Sequence, residues 1–395
     1  MIRYDFDTIV DRHNSECVKY DRLLTDFGRD GLLPLWVADM DFAVEPTITD
    51  ALRQRVEHRV YGYPLVPDRF WRSIIDWVDR RHGFAIEPEA LTYVPGIVRA
   101  IGLAINYYTD TGDKILIQPP VYHPFAALTT GNGRVVVNNP LMQDSDGNYH
   151  IDIDSFERTV ATEHPRMMIL CNPHNPGGRQ WSAETLQKIA AIARRHDMIV
   201  ISDEIHADLM LWGGKHTPFL SVSDDAREVG IMFGAPSKTF NIPGLVSSWA
   251  VIPNPKLRDG FYQWLTVNEL NVPTMMAIEG TVAAYNNGEQ WLDQAIAYIE
   301  GNIRTAEDLL SQRIPAIKAL RPDASFLIWL DCRGLGLDHD SLISLFIDRA
   351  GLALNDGAMF GEQGSGFMRL NVATSRAMVT TALNRLADAL AQSRN

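Results

Sequence analysis

Three short stretches of this 395-residue chain carry side chains whose types and spacing could do covalent chemistry. In Phe233-Gly234-Ala235-Pro236-Ser237-Lys238-Thr239-Phe240-Asn241, apolar strand-like material runs into small residues and one lysine, which puts Lys238 on a connection between buried elements. A lysine there is either a solvated surface residue, as most are, or a poorly solvated amine whose lowered pKa makes it a Schiff-base nucleophile. The second stretch, Asn172-Pro173-His174-Asn175-Pro176-Gly177-Gly178, directly follows the apolar run 167–171; the third, Asp203-Glu204-Ile205-His206, follows the run 198–202. An asparagine, an acid and a lysine delivered in that order suit an organic cofactor. Asp203, Glu204, His206 and His174 could instead ligate a metal. That alternative leaves Lys238 and Asn175 without a role.

The elements that must position these residues are legible from period and punctuation. A helical pattern over 183–196, with Ser182 as N-cap, separates the two apolar runs, so the segment reads as a βαβ unit. Its polar residues then lie at the carboxyl ends of neighbouring parallel strands, where open α/β sheets place ligands. A second strand-like run, 249–252, follows Lys238. Upstream, Pro46 opens a helix to about residue 60, followed by the turn Tyr61-Gly62-Tyr63-Pro64. Residues 68–82 read as an amphipathic helix with Phe70, Trp71, Ile74, Ile75 and Val78 inward. Val94-Pro95-Gly96-Ile97-Val98 reads as a strand, a turn and the start of a helix running to about residue 108. Helix N-termini present unpaired N–H groups, so Gly96, Ile97 and Val98 can cradle a phosphate. Strands are expected at 114–118 and 134–137, long helices at 272–285 and 288–312, and alternating strands and helices after 325. Leu35, Trp36 and Phe42 are expected to be buried.

Taken together, N-P-x-N-P-x-G, D-E-x-x, S-K-x-F and the late Arg369-Leu370-Asn371 resemble the aminotransferase class I/II superfamily of fold-type I pyridoxal-phosphate enzymes. The segments Leu35 to Phe42, Tyr61-Gly62-Tyr63, Cys171 to Arg179 and Asp203 to Asp208 resemble its cystathionine β-lyase (MalY/PatB-type C–S lyase) branch in particular. The resemblance implies an α/β fold, PLP-dependent transferase-like, with a large, mainly parallel-sheet PLP-binding domain (46–286). A smaller α/β domain would be formed by 287–395 with the N-terminal segment 1–45. It implies pyridoxal 5′-phosphate held by Lys238, with Asn175 at the phenolic oxygen O3′ and Asp203 on the pyridine nitrogen. Tyr122 would stack on the ring, and Gly96, Ile97, Val98 and Ser237 would hold the phosphate. Tyr61 would reach the phosphate of a neighbouring subunit, making a homodimer the catalytic unit. Arg369, otherwise a costly charge in an apolar strand, would fork onto the substrate α-carboxylate near the backbone amide of Ala38 and beside Asn175. The sequence departs from many class I aminotransferases in two places. His206 stands where they carry a tyrosine at O3′, and Val246 where they carry an arginine on the phosphate. Ser237, Ser247, the amides near Gly96 and a partner's Tyr61 would balance the phosphate instead.

Composition narrows the function classes. A hydrophobic content of 46% with 22% charged residues fits a folded protein, and a net charge of −13 disfavours nucleic acid as a partner. Cys17, Cys171 and Cys332 form neither a disulfide framework nor a metal spacing. The acidic N-terminal residues do not suit a signal peptide, and no apolar run approaches the roughly 18 residues of a membrane span. The expectation is a cytoplasmic, membrane-free C–S β-lyase that acts on cystathionine or other S-substituted cysteines. A PLP-dependent aminotransferase of an L-amino acid is the alternative, and a regulatory protein-binding role a second one.

Overall fold

Seven strands build the central sheet of the computed structural model, which describes residues 2–392. They are β1 (Leu91–Val94), β2 (Lys114–Ile117), β3 (Val135–Asn138), β4 (Met167–Cys171), β5 (Ile199–Asp203), β6 (Gly230–Gly234) and β7 (Ser248–Val251). Their order is β1-β7-β6-β5-β4-β2-β3. Pairing is parallel from β6 to β3, whereas β7 is antiparallel to both its neighbours. Six strands therefore end at one edge of the sheet, and β7 begins there.

The strands read as continuous apolar runs because both faces are covered. Met168, Leu170, Val200 and Met232 point into one apolar cluster; Ile169, Ile201, Ile231 and Phe233 point into another on the opposite face. The first cluster continues through Phe70 and Trp77 of the helix Asp68–His82 and through Trp291 and Ile299 of the helix Glu289–Arg313. It reaches a second, fully antiparallel sheet of β8 (Lys318–Leu320), β9 (Leu327–Asp331), β10 (Asn355–Asp356) and β11 (Phe367–Asn371), ordered β8-β9-β11-β10. The result is an α/β fold with a large mixed sheet and a smaller one. Among the described residues no helix is long and apolar enough to cross a membrane.

Local signals explain where the elements begin and end. Ser182 Oγ accepts from Thr185 N at 3.1 Å and starts the helix Ala183–Arg195. The helix expected from 272 starts instead at Met275, because Thr274 caps it by accepting from Ala277 N. The helix opened by Pro46 stops at Glu57, short of residue 60. Within Asp68–His82 the buried stripe is Phe70, Ser73, Ile74, Trp77 and Val78, so Trp71 and Ile75 are only half-buried and Trp77 is the large core residue. Trp36 is likewise half-buried, with its indole N–H donating to Lys19 O at 3.0 Å, whereas Leu35 and Phe42 are core.

Candidate active site

The carboxyl edge of the large sheet opens into a cavity of about 250 Å³. Gly96, Ile97 and Val98, after β1, line one end of it with Ser237 from beyond β6. Tyr122 comes from the segment after β2, Asn175 from that after β4, and Asp203 and His206 from the end of β5 and the turn beyond it. Lys238, next to Ser237, and Ala38 complete this part of the lining. Because β7 starts at this edge, Ser247 and Ser248 also face the cavity. Of the residues expected from sequence to meet the cofactor or substrate, two stand apart from the lining. Arg369 lies one hydrogen bond behind it, and Tyr61 is on the surface, 58% exposed, with its hydroxyl donating to Val56 O at 2.9 Å.

Lys238 sits on a one-turn helix, Pro236–Thr239, rather than on an open connection. Pro236 takes the first helical position, where its missing N–H costs nothing. The lysine is half-buried, and its amine donates to Ala38 O. Burial pulls it down to about 8, against the charges of Asp39 and Asp203, which favour the ammonium. Lys238 therefore loses its proton at far lower pH than an ordinary lysine, with about one-tenth as free amine at pH 7.

Asp203 ends β5 opposite Cys171 of β4 and Phe233 of β6. Among the described residues its Oδ1 accepts one long bond, from Ile205 N at 3.2 Å. Burial raises it to about 7, opposed by that N–H bond; the neighbouring Glu204 adds to the rise. His206 is driven down to about 3 by burial, then by Lys238 and Arg369, and so is neutral; its buried Nδ1 has no partner among the described residues. An under-bonded buried acid and an unpartnered imidazole nitrogen on one cavity wall are the mark of a polar ligand's site.

Asn175 links this wall to Arg369. Arg369 Nη1 donates to Asn175 Oδ1 at 3.0 Å, and Nη2 donates to Asn355 Oδ1 at 2.5 Å and to Trp36 O at 3.0 Å. The Nε–H is buried and has no partner among the described residues. Beneath the guanidinium lies Phe360, with the ring centroid 4.9 Å from Cζ. Burial lowers Arg369 to about 10, which leaves it charged. Since Asn175 Oδ1 is engaged by Arg369, its amide nitrogen is left as a donor. Cys171 Sγ accepts from Asn175 N at 3.3 Å and steadies that residue.

At the opposite end, the helix Ile97–Tyr108 starts behind Gly96, whose φ of +94° is a conformation that suits glycine. Val246 faces this end too, held by Tyr93, which donates to Val246 O at 2.8 Å. Ser247 Oγ is paired with Thr281 Oγ1 at 2.6 Å.

Sequence reasoning assigned no role to Cys171 or Asn355. Cys171 carried a signal, since it closes an apolar strand directly before Asn172. Asn355 acquires its place only through pairing opposite Arg369 in the small sheet. The remaining candidates for a metal site do not converge with Asp203. Glu204 turns away from the cavity to His216, 2.6 Å from its Oε2, and His174 packs against Trp181.

Comparison with known proteins agrees with this geometry. The family model for aminotransferase class I and II matches residues 35–386. The chain is 42% identical over 386 residues to cystathionine beta-lyase PatB of Bacillus subtilis, covering 98% of this chain and 100% of that protein. It is 33% identical over 389 residues to protein MalY of Escherichia coli, covering 98% and 99% respectively. Cystalysin from Treponema denticola, whose crystal structure contains a pyridoxal 5′-phosphate cofactor, superposes with a TM-score of 0.95 at 31% identity over 99% of this chain and 100% of that one. The chain is thus that of a pyridoxal-phosphate enzyme of lyase or aminotransferase type, acting on amino-acid-type substrates. The chain belongs to the aminotransferase class I and II family, in its MalY/PatB-type C–S lyase branch.

Proposed function

We propose that the protein cleaves the Cβ–S bond of L-cystathionine or related S-substituted cysteines, giving a thiol, pyruvate and ammonia. One observation carries the proposal. A lysine whose pKa burial lowers and an under-bonded acid line one small cavity, with a buried guanidinium directly behind it, in a chain 42% identical along its length to a cystathionine beta-lyase. The donor set fits pyridoxal phosphate at each of its ends. Backbone N–H groups of Gly96, Ile97 and Val98 and the Ser237 hydroxyl suit the phosphate. Asp203 suits the pyridine nitrogen, the Asn175 amide and the unpartnered His206 Nδ1 suit the phenolic oxygen, and Tyr122 supplies a flat face.

Bound there, the cofactor supplies an aldehyde that combines with amines and a protonated ring that accepts the electron pair left when a Cα proton departs. Lys238 Nζ would hold the cofactor and, as a free amine, would take the Cα proton. Arg369, backed by Asn175 and Asn355, orients the α-carboxylate against the backbone of Ala38. Asp203, ionised by pairing with the ring N–H, keeps that proton in place. The Cβ–S bond breaks with its electron pair on sulfur. A thiolate leaves readily, since thiols have pKa values near 8.5. The three-carbon enamine that is released takes up water and gives pyruvate and ammonia.

The exposed stretch after the helix Pro46–Glu57 supports a homodimer. Tyr61, Tyr63 and Leu65 are 58%, 105% and 88% exposed, an apolar surface that a second copy would cover while bringing Tyr61 to its neighbour's phosphate. A cytoplasmic enzyme fits the three free cysteines. The test is L-cystathionine without added keto acid, with pyruvate followed through lactate dehydrogenase. Sustained pyruvate release is expected. No pyruvate, with turnover only once a keto acid is supplied, would make the protein an aminotransferase.

A further inference from the structure

The turn after β5 sends its polar side chains two ways. Asp203 and His206 face the cavity, while Glu204 and Asp208 are buried behind it. Asp208 Oδ1 accepts from Trp77 Nε1 and from His82 Nε2, each at 2.9 Å. Both donors belong to the helix Asp68–His82, so the carboxylate is fixed to the scaffold on that side. His82 is itself backed edge-on by His216, 5.4 Å away, which bonds Glu204. The other oxygen of Asp208 accepts from Thr239 Oγ1 at 2.7 Å. Thr239 is the residue after Lys238 and is fully buried.

We infer that Asp208 and Thr239 form a rear anchor that sets where Lys238 Nζ stands, making both of them positioning residues for the lysine; this rests on the role given to Lys238 above. The lysine's helix has four residues, and its turn is closed by Phe240 N donating to Pro236 O at 2.9 Å. A single turn does not hold its own orientation, because helix stability is cooperative over many residues. Ser237 and Lys238 face the cavity, and Thr239 faces the opposite way, onto a carboxylate that two other donors already hold. Cα atoms lie about 2.3 Å from a helix axis and a lysine side chain reaches roughly 6 Å further, so a roll of about 10° moves Nζ by about 1.4 Å. A displacement of that size costs about 100-fold in a reaction that depends on alignment.

Thr239→Val removes the hydroxyl and keeps the shape; Thr239→Ser puts the hydroxyl back. Cofactor-free protein is mixed with pyridoxal phosphate and the growth of yellow absorbance is timed, and turnover of L-cystathionine is resolved into kcat and KM. Thr239→Val is expected to slow colour growth and to lower kcat, each by about 10–100-fold, with KM within about twofold. Thr239→Ser is expected to retain both rates within about threefold. Colour growth and kcat at wild-type values in Thr239→Val overturn the anchor, and so does a loss that serine does not restore. If the valine variant does not fold, Thr239→Ala is read in the same way. Lys238→Ala separates the two ideas: colour growth in that variant overturns the lysine's own assignment, whereas its absence, beside an unaffected Thr239→Val, overturns only the anchor.

Discussion

Asp203 carries the cost of its place in the sheet. Its pKa of about 7 in the folded chain lies above that of an unfolded aspartate near 3.8. Between those values the fold holds a proton that the unfolded chain has released, so this group makes the cofactor-free protein less stable as pH rises through the window. Asp203→Asn is therefore expected to stabilise cofactor-free protein by on the order of 4 kcal/mol at pH 8 and by little near pH 4, as read by thermal melts. The same change is expected to lower kcat by about 100–1,000-fold, since a neutral amide does not hold the ring proton. Arg369→Lys keeps the charge and loses the planar fork. It should lower kcat/KM by about 10–100-fold with little change in cofactor binding, which a substrate titration would show. Asp203 and Lys238 were legible in the sequence because each directly ends or follows an apolar strand. Asn355 was not, since an asparagine in the run Leu352 to Asp356 shows its purpose only when β10 pairs with β11.

Elements bring these residues to one edge, and here legibility divides by the kind of signal. Helices were readable from period and caps, as Ser182 and the helix Asp68–His82 show. Strand direction was not readable: the run at 249–252 is apolar whichever way it points, yet its reversal as β7 is what brings Ser247 and Ser248 to the cavity. The one-turn helix carrying Lys238 is too short to show a period at all. The helix start at Gly96 is a test at this scale. A Cβ there would touch only Val246 Cγ1, at 3.8 Å, so crowding is not the obstacle; the backbone at φ +94° is. Gly96→Ala is expected to cost about 1–3 kcal/mol of strain. Relieving that strain tilts the amides of Ile97 and Val98 away from the phosphate. A fluorescence titration should show pyridoxal phosphate bound about 10-fold more weakly; unchanged affinity would remove the helix start from the phosphate site.

At the scale of the whole molecule, the surface around Tyr61 is the feature that one chain leaves unexplained. If Tyr61 serves a neighbour's site, mixed dimers of Lys238→Ala and Tyr61→Ala contain one intact site each. Mixing the two variants at low cofactor concentration should restore about a quarter of wild-type activity; activity no greater than that of Tyr61→Ala alone would place Tyr61 outside the site. The fold class and the gathering of Lys238, Asp203 and Asn175 followed from strand-end motifs, while the proposed dimer has no local signal beyond two exposed phenols in a turn. The most direct measurement fixes the cofactor with borohydride, digests the protein and maps the modified residue by mass spectrometry. The account predicts a single phosphopyridoxyl group on Lys238; a group on any other lysine, or none, would contradict it.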